Sequence, residues 1–123
     1  MRGAELMSIT VRDIMTALDA EVLAGSDKMD AVVSAVGAGD MMSDLLAFCK
    51  PGMIVLTGYT QPQVIRTAMV TDLLGLVVVR GKNITPETIA YARENNVLLL
   101  RTKCYMYSSC GKLYRMGLMG IDA

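Results

Sequence analysis

The chain has 123 residues, 12 basic and 12 acidic side chains, a formal charge of zero and no histidine. The length fits one domain over residues 1–123, and an apolar share of 53% excludes intrinsic disorder. The even charge balance disfavours a nucleic-acid partner. The lack of histidine excludes Ser-His-Asp and Cys-His catalysis and His-ligated zinc.

The sequence predicts a cytoplasmic protein without a membrane partner. The longest apolar run, residues 73–79, is far shorter than the ~20 residues of a spanning helix, and residues 1–10 lack the apolar core of a signal peptide. Cys49, Cys104 and Cys110 form no Cys-x-x-Cys pair, so we expect reduced thiols. Eleven methionines and the apolar surplus predict a surface covered by a second copy, most simply a twofold homodimer.

The first third of the chain predicts a helix and two short strands. Apolar residues at helical spacing over 11–18 indicate the helix, with Ser8 or Thr10 as its N-cap. Strands are predicted at 21–24 and 31–36. These two strands either pair antiparallel with each other or extend the edge of a larger sheet.

A glycine-rich turn follows the second of these strands. Residues 37–40 are Gly-Ala-Gly-Asp, and we interpret them as a break in the strand followed by Asp40 as the N-cap of a helix that ends at Pro51. A phosphate-cradling loop is disfavoured, because the carboxylate of Asp40 would lie where a phosphate should bind.

From Met53 onward the predicted strands and helices alternate. Continuous apolar runs predict buried strands at 53–57, 76–79 and 97–100. Thr60 and Thr85, each close to a proline, are expected to cap the helices between them, and a last helix is expected from about 105 to 118. The alternation predicts an α/β domain, a three-layer sandwich with a mainly parallel sheet of about five strands and helices on both faces.

The carboxyl ends of three predicted strands carry polar and basic side chains. Ligands of open parallel sheets bind beyond these ends, where helix starts add free N–H groups. The candidate ligand-binding residues are Thr57, Gly58, Tyr59, Arg80, Gly81, Lys82, Arg101, Thr102 and Lys103. Their four cations suit an anionic small molecule, a nucleotide or a phosphate ester. The alternative is a set of solvated loop cations near a dimer contact.

The sequence predicts no enzyme activity, catalytic residue, metal or cofactor. The pairs Gly81-Lys82 and Gly111-Lys112 lack the remainder of a P-loop, so an apparatus for ATP-dependent phosphotransfer is missing. Cys104 follows Lys103 and precedes a predicted helix. It is either a small apolar residue or a thiol of lowered pKa that serves as a redox sensor.

Nearly the whole chain resembles the DRTGG domain family, small α/β domains similar to the N-terminal domain of HPr serine kinase/phosphatase. The resemblance runs from VRDIMTALDAEVLAG through VVSAVGAGDMMSD, MIVLTGYTQPQVIRTA and VVVRGK to LLLRTKCYMYSSCGKLYRMGL. The motif that names the family is replaced: Gly58-Tyr59-Thr60 stands where Gly-Asp-Arg is expected, and Arg80-Gly81-Lys82 where Thr-Gly-Gly is expected. The resemblance implies the fold, a tendency to dimerise and a regulatory role.

We therefore expect a non-enzymatic regulatory or ligand-sensing domain that acts as a homodimer. The second hypothesis is a purely structural dimerisation or interaction module. An HPr-kinase-related phosphotransfer protein is a third and less favoured hypothesis, which would depend on Arg80 or Lys82.

Overall fold

The computed structural model describes residues 8–122. Its elements are α1 (Val11–Leu18), β1 (Glu21–Ala24), a 3-10 helix (Ser26–Lys28), β2 (Ala35–Ala38), α2 (Met42–Phe48), β3 (Met53–Thr57), α3 (Gln63–Val70), β4 (Gly75–Val78), α4 (Pro86–Glu94), β5 (Leu98–Arg101) and α5 (Met106–Arg115). Among the described residues no helix has the length and apolar character needed to cross a bilayer. Most of the segment assessed for a signal peptide, residues 1–7, lies outside the described part.

The five strands form one sheet in the order β1-β5-β4-β3-β2. Only β1 is antiparallel to its neighbour, β5, and the other pairs are parallel. Helices α1 and α5 pack on one face through a core that includes Ile14 and Leu113. Helices α2, α3 and α4 pack on the other face through residues such as Leu45, Ile65 and Ala92. The predicted three-layer α/β sandwich is therefore confirmed.

The central strands are apolar throughout because both of their faces are covered. Every residue of β3 and β4 is buried, as are the first three residues of β5. Gly75 begins β4 where a Cβ atom would lie only 2.6 Å from the side chain of Leu98. Glycine at this position lets the start of β4 pack closely against β5.

The prediction for the second strand was wrong. The strand runs from Ala35 to Ala38, and Gly37 lies within it, paired in register with Val55 of β3. Parallel pairing with β3 extends β2 through the glycine that suggested a break. Of the two arrangements predicted for the early strands, extension of the sheet edge is confirmed, since β1 and β2 occupy opposite edges and do not pair with each other.

Two of the predicted helix caps are confirmed. The hydroxyl of Thr10 accepts the Asp13 N–H at 3.3 Å within a capping box. The hydroxyl of Thr85 accepts the Thr88 N–H at 3.2 Å, and Pro86 follows it at the first helical position.

The other two predicted caps are wrong. Met41 occupies the N-cap position of α2, without a side-chain hydrogen bond, and the carboxylate of Asp40 turns instead to the end of β3. Pro62 precedes α3, and the carbonyl of Thr60 accepts a hydrogen bond from the Thr88 hydroxyl at 2.8 Å. In both places a contact distant in sequence takes the polar group away from the local cap.

Candidate ligand-binding site

The loops that follow β3, β4 and β5 emerge side by side. Thr57 pairs in register with Val78, and Val78 pairs with Arg101. Two hydrogen bonds join the β4 loop to the β5 loop: the Arg80 N–H donates to the Cys104 carbonyl at 2.7 Å, and the Gly81 N–H donates to the Thr102 carbonyl at 2.8 Å. The structure thus brings the three predicted strand ends to one rim of the sheet.

The described residues form two clefts at this rim. One, of about 300 Å³, is here called the tyrosine cleft and is lined by Asp40, Gly58, Val79, Arg80, Lys82, Tyr105, Met106 and Tyr107. The other, of about 450 Å³, is called the cysteine cleft and is lined by Leu18, Asp19, Ala20, Glu21, Gly81, Asn83, Arg101, Thr102, Lys103 and Cys104.

The nine predicted site residues are divided between these clefts. The tyrosine cleft takes Gly58, Arg80 and Lys82. The cysteine cleft takes Gly81, Arg101, Thr102 and Lys103. Thr57 and Tyr59 line neither cleft, so the nine residues do not surround a single cavity.

Thr57 shapes its loop from inside the protein. It is fully buried, and its hydroxyl donates to Asp40 Oδ1 at 3.1 Å while accepting the Tyr59 N–H at 3.1 Å. Tyr59 packs against the core on the side of α2, α3 and α4, and its hydroxyl donates to the Gln63 side chain. Both side chains hold the β3 loop in place.

Asp40 is a cleft residue that the sequence did not reveal as such. Its Oδ1 atom accepts the N–H of buried Gly58 at 2.6 Å. A Cβ atom on Gly58 would lie 3.3 Å from Asp40 Oδ2 and 3.6 Å from Lys82 Nζ. Glycine here allows a carboxylate and an ammonium group to approach the end of β3 together. A place for Asp40 at the rim can be inferred only when β2 is known to extend to Ala38, because the residues after the strand then lie at the rim of the sheet.

Arg80 and Lys82 supply the positive charge of the tyrosine cleft. Arg80 and Gly81 are consecutive left-handed residues, with φ of 67° and 59°, so the chain turns sharply after β4. The guanidinium of Arg80 lies 5.9 Å from the centre of the Tyr105 ring, within the range of a cation–π contact. Neither cation forms an ion pair within the described part of the chain.

The start of α5 forms the aromatic wall of the tyrosine cleft. Tyr105 is the N-cap residue of α5, and no side chain caps this helix end. Its first backbone N–H groups therefore keep hydrogen-bonding capacity and a partial positive charge. Tyr105 and Tyr107 are largely exposed. Sequence reasoning placed these two tyrosines on a helix but assigned them no role at the rim.

The cysteine cleft contains one ion pair and equal numbers of positive and negative side chains. Arg101 forms an ion pair with Glu21 at 2.8 Å across the β1–β5 contact. Thr102 is buried, and its hydroxyl donates to the Leu18 carbonyl at 2.6 Å while accepting the Cys104 N–H at 3.1 Å. The carboxylate of Asp19 also lines this cleft. The cysteine cleft therefore offers an anion less uncompensated positive charge than the tyrosine cleft does.

The three thiols differ in acidity. The pKa of Cys104 is lowered, first by a hydrogen bond with Thr102 and then by Lys112, whose Nζ atom lies 3.4 Å from Sγ, while burial partly opposes both effects. Burial raises the pKa of Cys49 and, with a smaller opposing hydrogen bond, that of Cys110. Of the three, Cys104 is the thiol whose pKa is shifted toward the thiolate form.

Two comparisons with known proteins find a matching family and a similar solved structure. A family model described as the DRTGG domain matches residues 13–116. The chain is also similar to a crystal structure of the CBS and DRTGG domains of the regulatory region of Clostridium perfringens pyrophosphatase, complexed with the activator diadenosine tetraphosphate. The TM-score is 0.69 at 19% identity, over 89% of this chain and 46% of that one.

This chain spans about half the length of that solved structure. At such low identity the likeness concerns the fold alone. The comparison with curated proteins gives no match.

Proposed function

The chain belongs to the DRTGG domain family, and from that premise we propose that it is a non-enzymatic regulatory domain that acts as a homodimer and binds a phosphate-bearing small molecule in the tyrosine cleft. One observation carries the binding proposal. The cations Arg80 and Lys82, without ion-pair partners among the described residues, meet the uncapped start of α5 in one concave site.

This combination is chemically suited to a phosphate group. A helix N-terminus provides N–H donors and partial positive charge, and the two side chains add full charges within the same cleft. The carboxylate of Asp40 limits the attraction for a bare anion, because like charges repel at short range. We therefore expect an ester or anhydride with further hydrogen-bonding groups to bind better than inorganic phosphate.

A regulatory role is supported by the relatives. The similar Clostridium structure is that of a regulatory region, and it was determined with an activator that carries phosphates. The present sequence lacks a P-loop, so we do not assign phosphotransfer to Arg80 or Lys82. The similarity to the N-terminal domain of HPr serine kinase/phosphatase stays a prediction.

Homodimer formation is supported by the apolar surface. Within residues 8–122, eleven large apolar or aromatic side chains are between 42% and 90% exposed, namely Val32, Met41, Leu46, Phe48, Met69, Val70, Tyr105, Tyr107, Tyr114, Met119 and Ile121. Tyr107 and Tyr114 share one face of α5, and an exposed patch of large side chains of this kind is typical of an association surface. The same observation supports the alternative function, a structural dimerisation module without a ligand.

Isothermal titration calorimetry with pyrophosphate and ribose 5-phosphate tests the binding proposal. The informative variant is Arg80→Gly, because glycine readily adopts the left-handed backbone of this position while removing the cation. We expect Arg80→Gly and Lys82→Ala each to weaken binding by about tenfold, the effect of roughly one charge-assisted hydrogen bond.

The matched control is Lys103→Ala, which removes an exposed cation from the cysteine cleft. It should leave the affinity within about twofold of the original, since its exposed ammonium group belongs to the other cleft and solvent weakens its attraction for the ligand. Equal loss in all three variants would indicate diffuse attraction without a site. A dimer that binds neither compound would favour the structural module.

A further inference from the structure

Gly111 lies in the middle of α5, where no contact within the described part of the chain requires a glycine. Its backbone is helical, and a Cβ atom at this position would meet no other atom within 4 Å. Glycine weakens a helix interior relative to alanine. A glycine on the outer surface of a helix leaves room for another backbone to approach closely.

The residues around Gly111 form a second face of α5, opposite the side that packs on the core through Leu113. This outer face comprises Tyr107, Ser108, Gly111, Tyr114 and Arg115, all of them exposed. Tyr107 is 90% and Tyr114 is 65% exposed. The spacing i, i+1, i+4, i+7, i+8 is typical of a helix face that is buried against another element.

The side chains of this outer face are complementary to those of a second copy of the chain in an antiparallel arrangement. In a twofold antiparallel pair of α5 helices centred on Gly111, Tyr107 of one protomer is level with the partner's Arg115. This arrangement allows a cation–π contact on each side of the axis. The two Arg115 residues would then lie eight helical positions apart, about 12 Å along the axis, which exceeds the Debye length of about 8 Å in physiological salt.

A parallel pair would instead place the two Arg115 guanidinium groups side by side. Lys112 does not add to the charge on this face, because its ammonium group turns toward the Cys104 sulfur at 3.4 Å. We propose that the outer face of α5, centred on Gly111, is the antiparallel interface of the homodimer. This inference rests on the homodimer of the proposed function and names its interface.

The interface would adjoin the ligand site. Tyr107 belongs to the outer face of α5 and also lines the tyrosine cleft. The partner's Arg115, packed on Tyr107, therefore adds a third cation at the edge of that cleft. Because this added cation attracts an anionic ligand, ligand binding and dimerisation strengthen each other by the same factor. This coupling gives the domain a means of converting ligand concentration into a change of assembly.

Sedimentation velocity over a dilution series of the full chain tests the interface. Gly111→Leu keeps a strong helix former at the position and meets open space in the protomer, but its side chain would separate the two helices. We expect the dimer dissociation constant to rise at least tenfold. The control is Ala90→Leu, an exposed position of α4 on the opposite face of the sheet, which should leave the constant unchanged.

Two further measurements keep the test decisive. Gly111→Ala adds one methyl group and should raise the melting temperature of the protomer by roughly 4 °C while weakening the dimer. Pyrophosphate should tighten the original dimer and have a smaller effect on Arg115→Ala.

The outcomes distinguish a wrong interface from a wrong proposed function. A dimer that is unaffected by either Gly111 variant overturns this interface alone. A chain that is monomeric at every concentration overturns the homodimer as well, and binding of phosphate compounds to that monomer would still support the tyrosine cleft.

Discussion

The ends of β3 and β5 share a local motif but present different chemistry. Each strand ends near a buried threonine whose hydroxyl accepts the N–H two residues further on, from Tyr59 in one loop and from Cys104 in the other. Thr57 donates its proton to the carboxylate of Asp40, whereas Thr102 donates to the backbone carbonyl of Leu18.

The different acceptors explain the different clefts. Where the acceptor is a carboxylate that follows β2, the rim gains a charge positioned beside Lys82. Where the acceptor is the end of α1, the hydroxyl only anchors that helix to β5. The local sequence thus determines how each loop turns, while the element that arrives from elsewhere determines which charge the rim presents there.

The largest effect expected from this comparison concerns stability. Thr102→Val should lower the free energy of unfolding by about 2 kcal/mol, because the Leu18 carbonyl loses its closer side-chain donor and the Cys104 N–H loses its acceptor. Thr57→Val should cost about 1 kcal/mol, since Asp40 is exposed and water can replace the lost bond.

Urea denaturation of both variants measures this difference. Valine preserves the size and branching of threonine, so each variant reports mainly the lost hydroxyl. If Thr57→Val lost as much free energy of unfolding as Thr102→Val, or more, the result would contradict our distinction. In that distinction Thr102 anchors α1, whereas Thr57 positions the carboxylate of Asp40.

The second effect concerns ligand affinity. Asp40→Asn keeps a carbonyl oxygen that can accept the Gly58 N–H but removes the negative charge from the tyrosine cleft. We expect pyrophosphate to bind about fivefold more tightly, which corresponds to the removal of about 1 kcal/mol of repulsion. Calorimetric titration of the variant measures the change.

Glu21→Gln is the matched control for Asp40→Asn. It removes one carboxylate from the cysteine cleft and frees Arg101 from its ion pair. If pyrophosphate binds at the tyrosine cleft, this change alters the affinity by less than twofold. A larger gain in Glu21→Gln than in Asp40→Asn would move the anion site to the β5 side of the rim.

Much of the fold could be predicted because it depends on local apolar runs. The segments that became β3, β4 and β5 are continuous apolar stretches, and covering both faces of the sheet demands that composition. β2 was misplaced because its sequence is small and glycine-containing, and only its pairing with β3 makes it a strand. Edge strands of this kind are specified by a neighbour more than by their own residues.

The site was predictable only in outline. The parallel order of the strands placed Arg80 and Arg101 at one rim, as the topology of open sheets requires. The sequence could not reveal that Glu21 neutralises Arg101 or that Asp40 enters the cleft, because both contacts join residues far apart in the chain. The difference in charge between the two clefts follows from those contacts.

The smallest effect concerns the thiol of the cysteine cleft. Hydrogen bonding with Thr102 and then the Lys112 ammonium hold the pKa of Cys104 below its ordinary value, so a larger fraction is thiolate at pH 7 and reacts with iodoacetamide. Lys112→Ala should raise this pKa and slow alkylation at pH 7 by about threefold.

At pH values above the pKa of Cys104 in the original chain and in Lys112→Ala, the two proteins should react at the same rate, since Cys104 is then fully thiolate in each. Cys49 and Cys110, whose pKa values are raised chiefly by burial, provide internal controls in the same peptide map and should not respond to Lys112→Ala. A slower reaction that persists at high pH would mean that Lys112 affects access to the sulfur and not its ionisation. Equal reactivity of all three cysteines in the original chain would show that the β5 end lacks an activated thiol.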